Sequence, residues 1–367
     1  MDYLVKKNVM KKVKLICDIG TKYTKLMVVR YANKKIQVLQ TLRIESSAYF
    51  WKEDLSRIDD LAKAVRQALD NAHIPHKMEV SVSLPSSLVI NKMIKVKNAK
   101  TKELGGVVVS DPAYTKINSA VYEVDWANVG SREVNGDHIS YCLISAASKS
   151  TVNALVKAFK ARGLNITAIS NTDYNLICLS QIYQEDYNHL DFALLDFGAA
   201  ATHVAVFNDG IPIYVRDISI GYSSYTDSLF HKLSGVGIPD ICKAIDTIGY
   251  KENIGYTDRL KLKELHIDPD IYCSTVGSVN KELVSDIQRI FSMCEEEGNA
   301  ITKIIVCSPT IPGTLDVFVH HDMTMTSFSL YEGKEARGKD FELDFARVFL
   351  LDNDYAGATG LAVSTMI

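Results

Sequence analysis

The chain has 367 residues, 47% hydrophobic and 23% charged, with 41 Lys and Arg against 44 Asp and Glu for a formal net charge of −3. That length predicts two or three domains with substantial cores; the near-balanced charge does not favour nucleic acid, and no basic stripe is evident in the sequence. No apolar run of about 18 residues is present to span a membrane, and Met1 to Lys14, with five lysines, lacks the apolar core of a signal peptide. The seven cysteines (Cys17, Cys142, Cys178, Cys242, Cys273, Cys294 and Cys307) include no CxxC pair, and several lie in apolar runs. They read as buried reduced thiols rather than a disulfide framework or a zinc site.

Val13–Cys17 reads as a buried strand running into Asp18-Ile19-Gly20-Thr21, with further strands at Lys25–Tyr31 and Ile36–Ile44. Leu55, Ile58, Leu61, Val65 and Leu69 recur at helical spacing, which predicts an amphipathic helix over Asp54–His73 with Ser56 and Asp59 at its start. Val80–Leu84 is a strand ending at Pro85. From Ser86 to Arg132 the pattern is weak, with turns expected at Gly105-Gly106 and Asp111-Pro112. Strand His138–Ala146, helix Ser150–Arg162 capped by Gly163, strand Asn165–Ile169 and helix Asp173–Tyr183 follow.

Phe192–Leu195 opens the second half and leads to Asp196-Phe197-Gly198. Strand Thr202–Phe207 and the Asn208-Asp209-Gly210 turn feed strand Ile211–Ile218. Helices are expected over Ser223–Leu233, Pro239–Thr247 and Thr275–Glu297. The stripe Val276, Val279, Leu283, Ile287 and Ile290 is expected to be core. A strand over Ile301–Cys307, a loop at Ser308–Gly313 and a small, apolar terminal helix over Asp354–Met366 complete the chain.

One long-period echo organises these elements. Strand, Asp18-Ile19-Gly20-Thr21, Thr24 and strand recur as strand, Asp196-Phe197-Gly198-Ala199, Thr202 and strand, 178 positions later. One copy per half predicts a duplicated domain. A lone Asp-x-Gly after a strand is usually a simple turn; two copies between apolar strands point to a pair of phosphate-holding loops. Glycine lets the backbone approach an anion, Thr21 adds a hydroxyl, and Lys22 and Lys25 add positive charge. Asp18 and Asp196 are candidates to hold Mg²⁺ through its waters, as suits a cation that dehydrates reluctantly. GxxxxGK[ST] and GxSxG are absent, and His320-His321 has no partner ligands at metal spacing.

The paired motifs resemble the phosphate loops of the actin superfamily, and within it the chain most resembles the PilM family of pilus-assembly proteins. Val82-Ser83-Leu84-Pro85-Ser86-Ser87 with Ile90–Lys97, then Cys142–Lys149 with Arg162-Gly163-Leu164, are similar to the start and close of that family's inserted subdomain. Arg216-Asp217-Ile218-Ser219-Ile220-Gly221 and Asp354–Ala362 resemble its strand leading to a phosphate-side glycine and its final helix. The resemblance implies an α/β, actin-like (ribonuclease H-like) two-domain fold with a nucleotide cleft between duplicated halves. The first domain would span 1–190 with a small α/β insertion at about 82–168. The second would span 191–345 with a helical subdomain at about 223–299, and 346–367 would return to the first.

It implies ATP and Mg as cofactors, with Asp18, Gly20, Thr21, Lys22 and Lys25 on the first loop and Asp196, Gly198 and Thr202 on the second. Gly221 and Ser308 join the cofactor set, and Asp173 falls near the group that orients the attacking water. It further implies a cytoplasmic scaffold recruited to the inner face of the membrane. Its partner would be the N-terminal cytoplasmic tail of a PilN-like membrane protein, held in a groove beside the insertion. Contacts with other pilus-assembly components and self-association are also implied; nucleic acid and direct membrane insertion are not. Two departures stand out. Ser308-Pro309-Thr310 replaces the superfamily's usual Gly-Gly loop, and Ala199 replaces the acidic residue found in actin, which predicts slow hydrolysis or none. The alternatives are an FtsA-like division protein, a small-molecule kinase of the same superfamily, or an adaptor with a degenerate nucleotide site. FtsA-like chains carry a linker and an amphipathic helix after the final helix, and none precedes Ile367 here.

Overall fold

The computed structural model describes residues 13–32, 35–46, 57–180, 191–307, 324–327, 337–338, 341–344 and 355–365. These group into two units: Met1–His189 with Phe207–Val215 and Ser329–Ile367, and Leu190–Val206 with Arg216–Phe328. The first half opens with a meander of β1 (Val13–Ile19), β2 (Tyr23–Ala32) and β3 (Lys35–Glu45), followed by α1 (Arg57–Asn71) and β4 (Met78–Leu84). β1 pairs antiparallel with β2 and parallel with β4. Side chains alternate across a strand, so Leu15, Cys17 and Ile19 enter one core while Asp18 points to the opposite face. That core is filled by Leu61, Val65 and Leu69 of α1, and by Leu155 and Phe159 of α4 (Lys149–Lys160).

An insertion follows β4. It comprises β5 (Val89–Lys97), α2 (Thr101–Ser110), α3 (Pro112–Thr115), β6 (Tyr122–Val134) and β7 (Asp137–Ser148), with sheet order β5-β7-β6. Gly105-Gly106 is helical rather than a turn. Leu104 and Val108, four apart on one helix face, bury against Cys142 and Ile144, and that packing overrides the glycine penalty. Asp111-Pro112 is a boundary as expected: the Asp111 carboxylate accepts from the Ala113 N–H, with proline at the start of α3. After α4, β8 (Leu164–Asn171) joins the edge of the main sheet and α5 (Thr172–Ser180) follows. Gly163, at φ +74°, closes α4.

The second half repeats the meander as β9 (Phe192–Phe197), β10 (Thr202–Asn208) and β11 (Ile211–Ile218). Asp209 at φ 49° and Gly210 at φ 72° form the tight hairpin turn between the last two. Helices α6 (Tyr222–Lys232), α7 (Ile238–Ile248), α8 (Tyr256–Glu264) and α9 (Pro269–Glu296) precede β12 (Lys303–Val306). α8 was not expected; its sequence, YTDRLKLKE, buries little beyond Leu262 and carries no apolar stripe. The α9 stripe is core, with Val276, Leu283 and Ile287 fully buried.

The remaining strands are β13 (Thr324–Ser327), β14 (Arg337–Gly338) and β15 (Phe341–Asp344). The two large sheets run β14-β15-β3-β2-β1-β4-β8 and β11-β10-β9-β12-β13. Each therefore contains the same order of third, second, first and fourth strand, which is the duplication the sequence echo predicts. The chain's last described helix, α10 (Ala356–Ser364), packs on α5 and on the Asp18 face of β1. Its Gly360 lies so close to α5 that a Cβ would fall 2.1 Å from the Asn175 carbonyl oxygen. Ser56, Tyr183, Ser308–Gly313, His320-His321 and Met366 lie outside the described residues.

Candidate functional site: two Asp-x-Gly hairpins and a side groove

Both motifs form the same turn. The Gly20 N–H donates to the Tyr23 carbonyl at 3.0 Å, and the Gly198 N–H donates to the Ala201 carbonyl at 2.9 Å. A Cβ on Gly20 would sit 2.6 Å from Tyr23 O, and one on Gly198 2.9 Å from Ala201 O. Both glycines are thus required by space, and their own N–H groups close the turn. What the first loop turns outward is Thr21 and Lys22. Lys22 Nζ lies 5.4 Å from the centre of the Tyr23 ring, and the Arg43 guanidinium lies 4.6 Å from it.

Asp18 and Asp196 end β1 and β9 as half-buried carboxylates. Asp18 stands opposite Lys25 in the β1–β2 ladder and beside Ser83 of β4; Lys25 stands opposite Arg43 of β3. One edge of the sheet therefore carries a row of Ser83, Asp18, Lys25 and Arg43. The terminal helix closes over it: a Cβ on Gly357 would meet the Asp18 carboxylate at 2.7 Å. The thiol of Cys17 is pushed up first by burial and then by the Asp18 charge, and Cys307 likewise by burial and Asp196.

Each turn is also locked by the element after its third strand. In the first copy the Ser46 N–H donates to Lys22 O at 2.9 Å and the Ser46 hydroxyl donates to Gly20 O. In the second, N–H groups at the start of α6 serve instead: Tyr222 donates to Gly198 O at 3.1 Å and Ser223 to Ala199 O at 2.8 Å. Thr202 donates its hydroxyl to Ile220 O at 2.7 Å, whereas the matching Thr24 hydroxyl is buried without a hydrogen-bond partner among the described residues. Gly221 thus sits against the second turn.

Asp173 is 3% exposed at the start of α5. Its carboxylate accepts from Asn91 Nδ2 of the insertion at 2.8 Å. Asn91 also accepts from the Ser145 hydroxyl at 2.7 Å and donates to Asn171 at 3.3 Å, and Asn171 donates to Ser145 at 3.1 Å. Asn175 of the same helix donates to Ser83 at 2.7 Å and accepts from Ser170 at 2.7 Å. Two polar clusters thus tie α5 down, one around Asn91 to the insertion and one around Asn175 to the strand beside Asp18.

Next to that network lies a cavity of about 290 Å³ between β8 and the inserted sheet. Leu84, Val89, Val124, Ala146, Val152 and Ile169 make its apolar wall, and Glu123, Asp125, Ser145 and Asn171 its polar rim. The sequence does not mark these residues, because a groove between two sheets has no local pattern. His203 and Asp217, hydrogen-bonded to each other beside the second turn, were also missed. Counting back from the Asn208-Asp209-Gly210 turn sets His203 opposite Arg216 and Asp217 opposite Thr202, so a simple register does not signal the pair.

Among the described residues no helix is long and apolar enough to cross a membrane. No match was found among proteins of curated function. Among solved structures, a PilM-PilN type IV pilus biogenesis complex is similar with a TM-score of 0.74 and 15% identity, over 96% of this chain and 98% of that one. The ethanolamine utilization protein EutJ from Carboxydothermus hydrogenoformans gives 0.49 at 10% identity, over 99% of this chain and 95% of that one. The cytoplasmic domain of EpsL, an inner-membrane component of the Vibrio cholerae type II secretion system, gives 0.39 at 8% identity over 96% and 95%. The fold is thus the expected actin-like α/β fold, carried by the first of these likenesses. The family model of the type IV pilus assembly protein PilM matches residues 16–234, more than half of the chain. On that match, this chain belongs to the PilM family of type IV pilus assembly proteins.

Proposed function

We propose that the chain is an actin-like scaffold of type IV pilus assembly, binding Mg-ATP at its Asp-x-Gly hairpins and the N-terminal cytoplasmic tail of a PilN-like membrane protein in the groove beside its insertion. The single observation that carries this reading is the family match over residues 16–234, inside which both hairpins and the groove fall. On this reading the partner brings the protein to the inner face of the membrane, and other pilus components and further copies of the chain assemble on it.

The residues present suit the nucleotide. Two half-buried carboxylates, Asp18 and Asp196, end the first strand of each copy of the meander, and on this reading they would hold Mg²⁺ through its waters. Thr21, Lys22 and Lys25 supply a hydroxyl and positive charge for phosphate oxygens. The Thr24 hydroxyl, buried without a partner among the described residues, supports the first hairpin as a place with hydrogen-bonding capacity to spare. Mg-ATP would supply a ligand-dependent change of state, with hydrolysis slow for want of a carboxylate at Ala199.

The groove suits a short extended peptide. Its apolar wall would take one or two aliphatic side chains, and Glu123 and Asp125 would meet a lysine or arginine of the tail. Titration of a PilN-like N-terminal peptide into the full chain tests this. Micromolar or tighter binding, about −8 kcal/mol, supports the reading. No binding at millimolar peptide contradicts it.

A further inference from the structure

β1, β4 and β8 run parallel, and Asp18 and the first hairpin lie where these strands finish. Where they start, about 17 Å away along β1, a cavity of about 660 Å³ opens under the ends of α1 and α4. Val13, Val28, Leu39, Ile74, Met78 and Leu164 make its apolar wall, and Lys77 and Lys160 stand exposed on its rim. That volume lies in the range of small-ligand sites. Three local features build the cavity. β3 bulges at Leu39, which brings the consecutive residues Leu39 and Gln40 both to it. His73 closes α1 in the left-handed region at φ 56°, a place usually taken by glycine or asparagine. The buried Arg66 guanidinium donates to the carbonyls of Ile74 at 3.1 Å, Pro75 at 3.3 Å and His76 at 3.0 Å, which fastens the loop forming one wall. The turn after α4 is pressed against that loop: a Cβ on Gly163 would sit 2.5 Å from His76 Nδ1.

We propose that this cavity is a second ligand site, for a free single-chain aliphatic amphiphile with an anionic head. The chain lies on the apolar wall and the head meets Lys77 and Lys160. The site is independent of the nucleotide and peptide readings, since it shares no residue with the hairpins or the groove. Charge sets the sign of the head. Neither lysine has an ion-pair partner among the described residues. Glu79, the one acid on the rim, is set beside Lys14 in the β1–β4 register. α1 and α4 both point their carboxyl ends this way, which disfavours an anion. Their last carbonyls already accept, however: Leu69 O from the Ile74 N–H at 2.9 Å, and Lys160 O from the Gly163 N–H at 3.1 Å. The two ammonium groups therefore dominate the rim, and a cationic head would meet two like charges there.

Calorimetric titration of monomeric dodecanoate into the full chain tests this. One site is expected, with a Kd of roughly tens to hundreds of micromolar. Dodecyltrimethylammonium, with the same chain and the opposite charge, should bind at least about tenfold more weakly. Replacing both lysines, Lys77→Ala with Lys160→Ala, should weaken dodecanoate about tenfold or more. Both are exposed, so the melting temperature should stay within about 1–2 °C. Ala72→Phe places a ring in the cavity and should abolish binding. Should that variant fail to fold, the lysine pair decides the matter. No saturable binding at about 1 mM dodecanoate overturns the proposal. So does equal affinity for the cationic amphiphile, or unchanged dodecanoate binding in the lysine variant or in a folded Ala72→Phe protein.

Discussion

Gly221 lies against Gly198 with no room for a side chain: a Cβ on Gly221 would sit 2.6 Å from the Gly198 carbonyl oxygen, 2.8 Å from Ala199 O and 2.8 Å from Ala201 N. Every one of those atoms is backbone of the second hairpin, so none can swing aside. The contact lets the first N–H groups of α6 reach the hairpin carbonyls. In the first copy Ser46, just past β3, serves the same purpose. The duplicated unit is therefore a three-stranded meander plus a lock on its first turn.

Gly221→Ala is expected to destabilise the protein by about 1–3 kcal/mol through overpacking against fixed backbone. Gly106→Ala is the control: nothing lies within 4 Å of its Cβ position and the residue is helical, so it should stabilise by about 0.5–1 kcal/mol. Chemical denaturation of the two variants checks both signs. A Gly221→Ala protein as stable as the wild type would mean that the hairpin yields to α6.

Asn91 holds Asp173, Ser145 and Asn171 together across the join between insertion and main sheet. Asn91→Ala strips a buried carboxylate of a donor and should cost about 1–3 kcal/mol. A double-mutant cycle with Asp173→Ala should show a coupling of about 0.5 kcal/mol or more, since the two side chains touch at 2.8 Å. Additive effects would place the network's stability elsewhere.

The thiols should divide by burial. Burial holds Cys17 and Cys307 well above the ordinary range and pushes Cys178 up to about 12. Because the thiolate is the reactive form, these three should stay unmodified by a disulfide reagent at pH 8 in the native protein, with Cys242 and Cys273 reacting first. The sign for stability follows: a raised folded pKa leaves the contribution of Cys178 intact below 9.0, and the contribution is lost as pH climbs towards about 12. Mass spectrometry after timed labelling, and alkaline unfolding of wild type against Cys178→Ala, read the two effects.

Both hairpins, the Asn208-Asp209-Gly210 turn and the α9 stripe were legible because each is a local signal: alternation, a turn residue, or helical spacing. The insertion was legible only in part. β6 carries Glu123, Asp125, Arg132 and Glu133 among its apolar residues and has a bulge between Asn128 and Gly130, which blurs the period of two. The double glycine of α2 reads as a turn until its packing partners are known. The roles of Gly221 and Gly357, the Asn91 network and the His203–Asp217 pair depend on contacts between distant segments, which no window of sequence displays.

Ile169 is 36% exposed on the groove wall and outside the main core. Ile169→Glu should therefore leave the melting temperature within about 1–2 °C while weakening a PilN-like tail peptide about tenfold or more. Undiminished peptide binding would place the tail on another surface.

The most direct test of the nucleotide reading is a thermal melt of the full chain with and without millimolar Mg-ATP, repeated with Asp18→Ala. A ligand that binds only the folded state raises the midpoint by mass action, so the wild type should shift by about 3 °C or more and the variant should not. A wild-type midpoint that does not move with Mg-ATP would contradict the assignment of the two hairpins as phosphate loops.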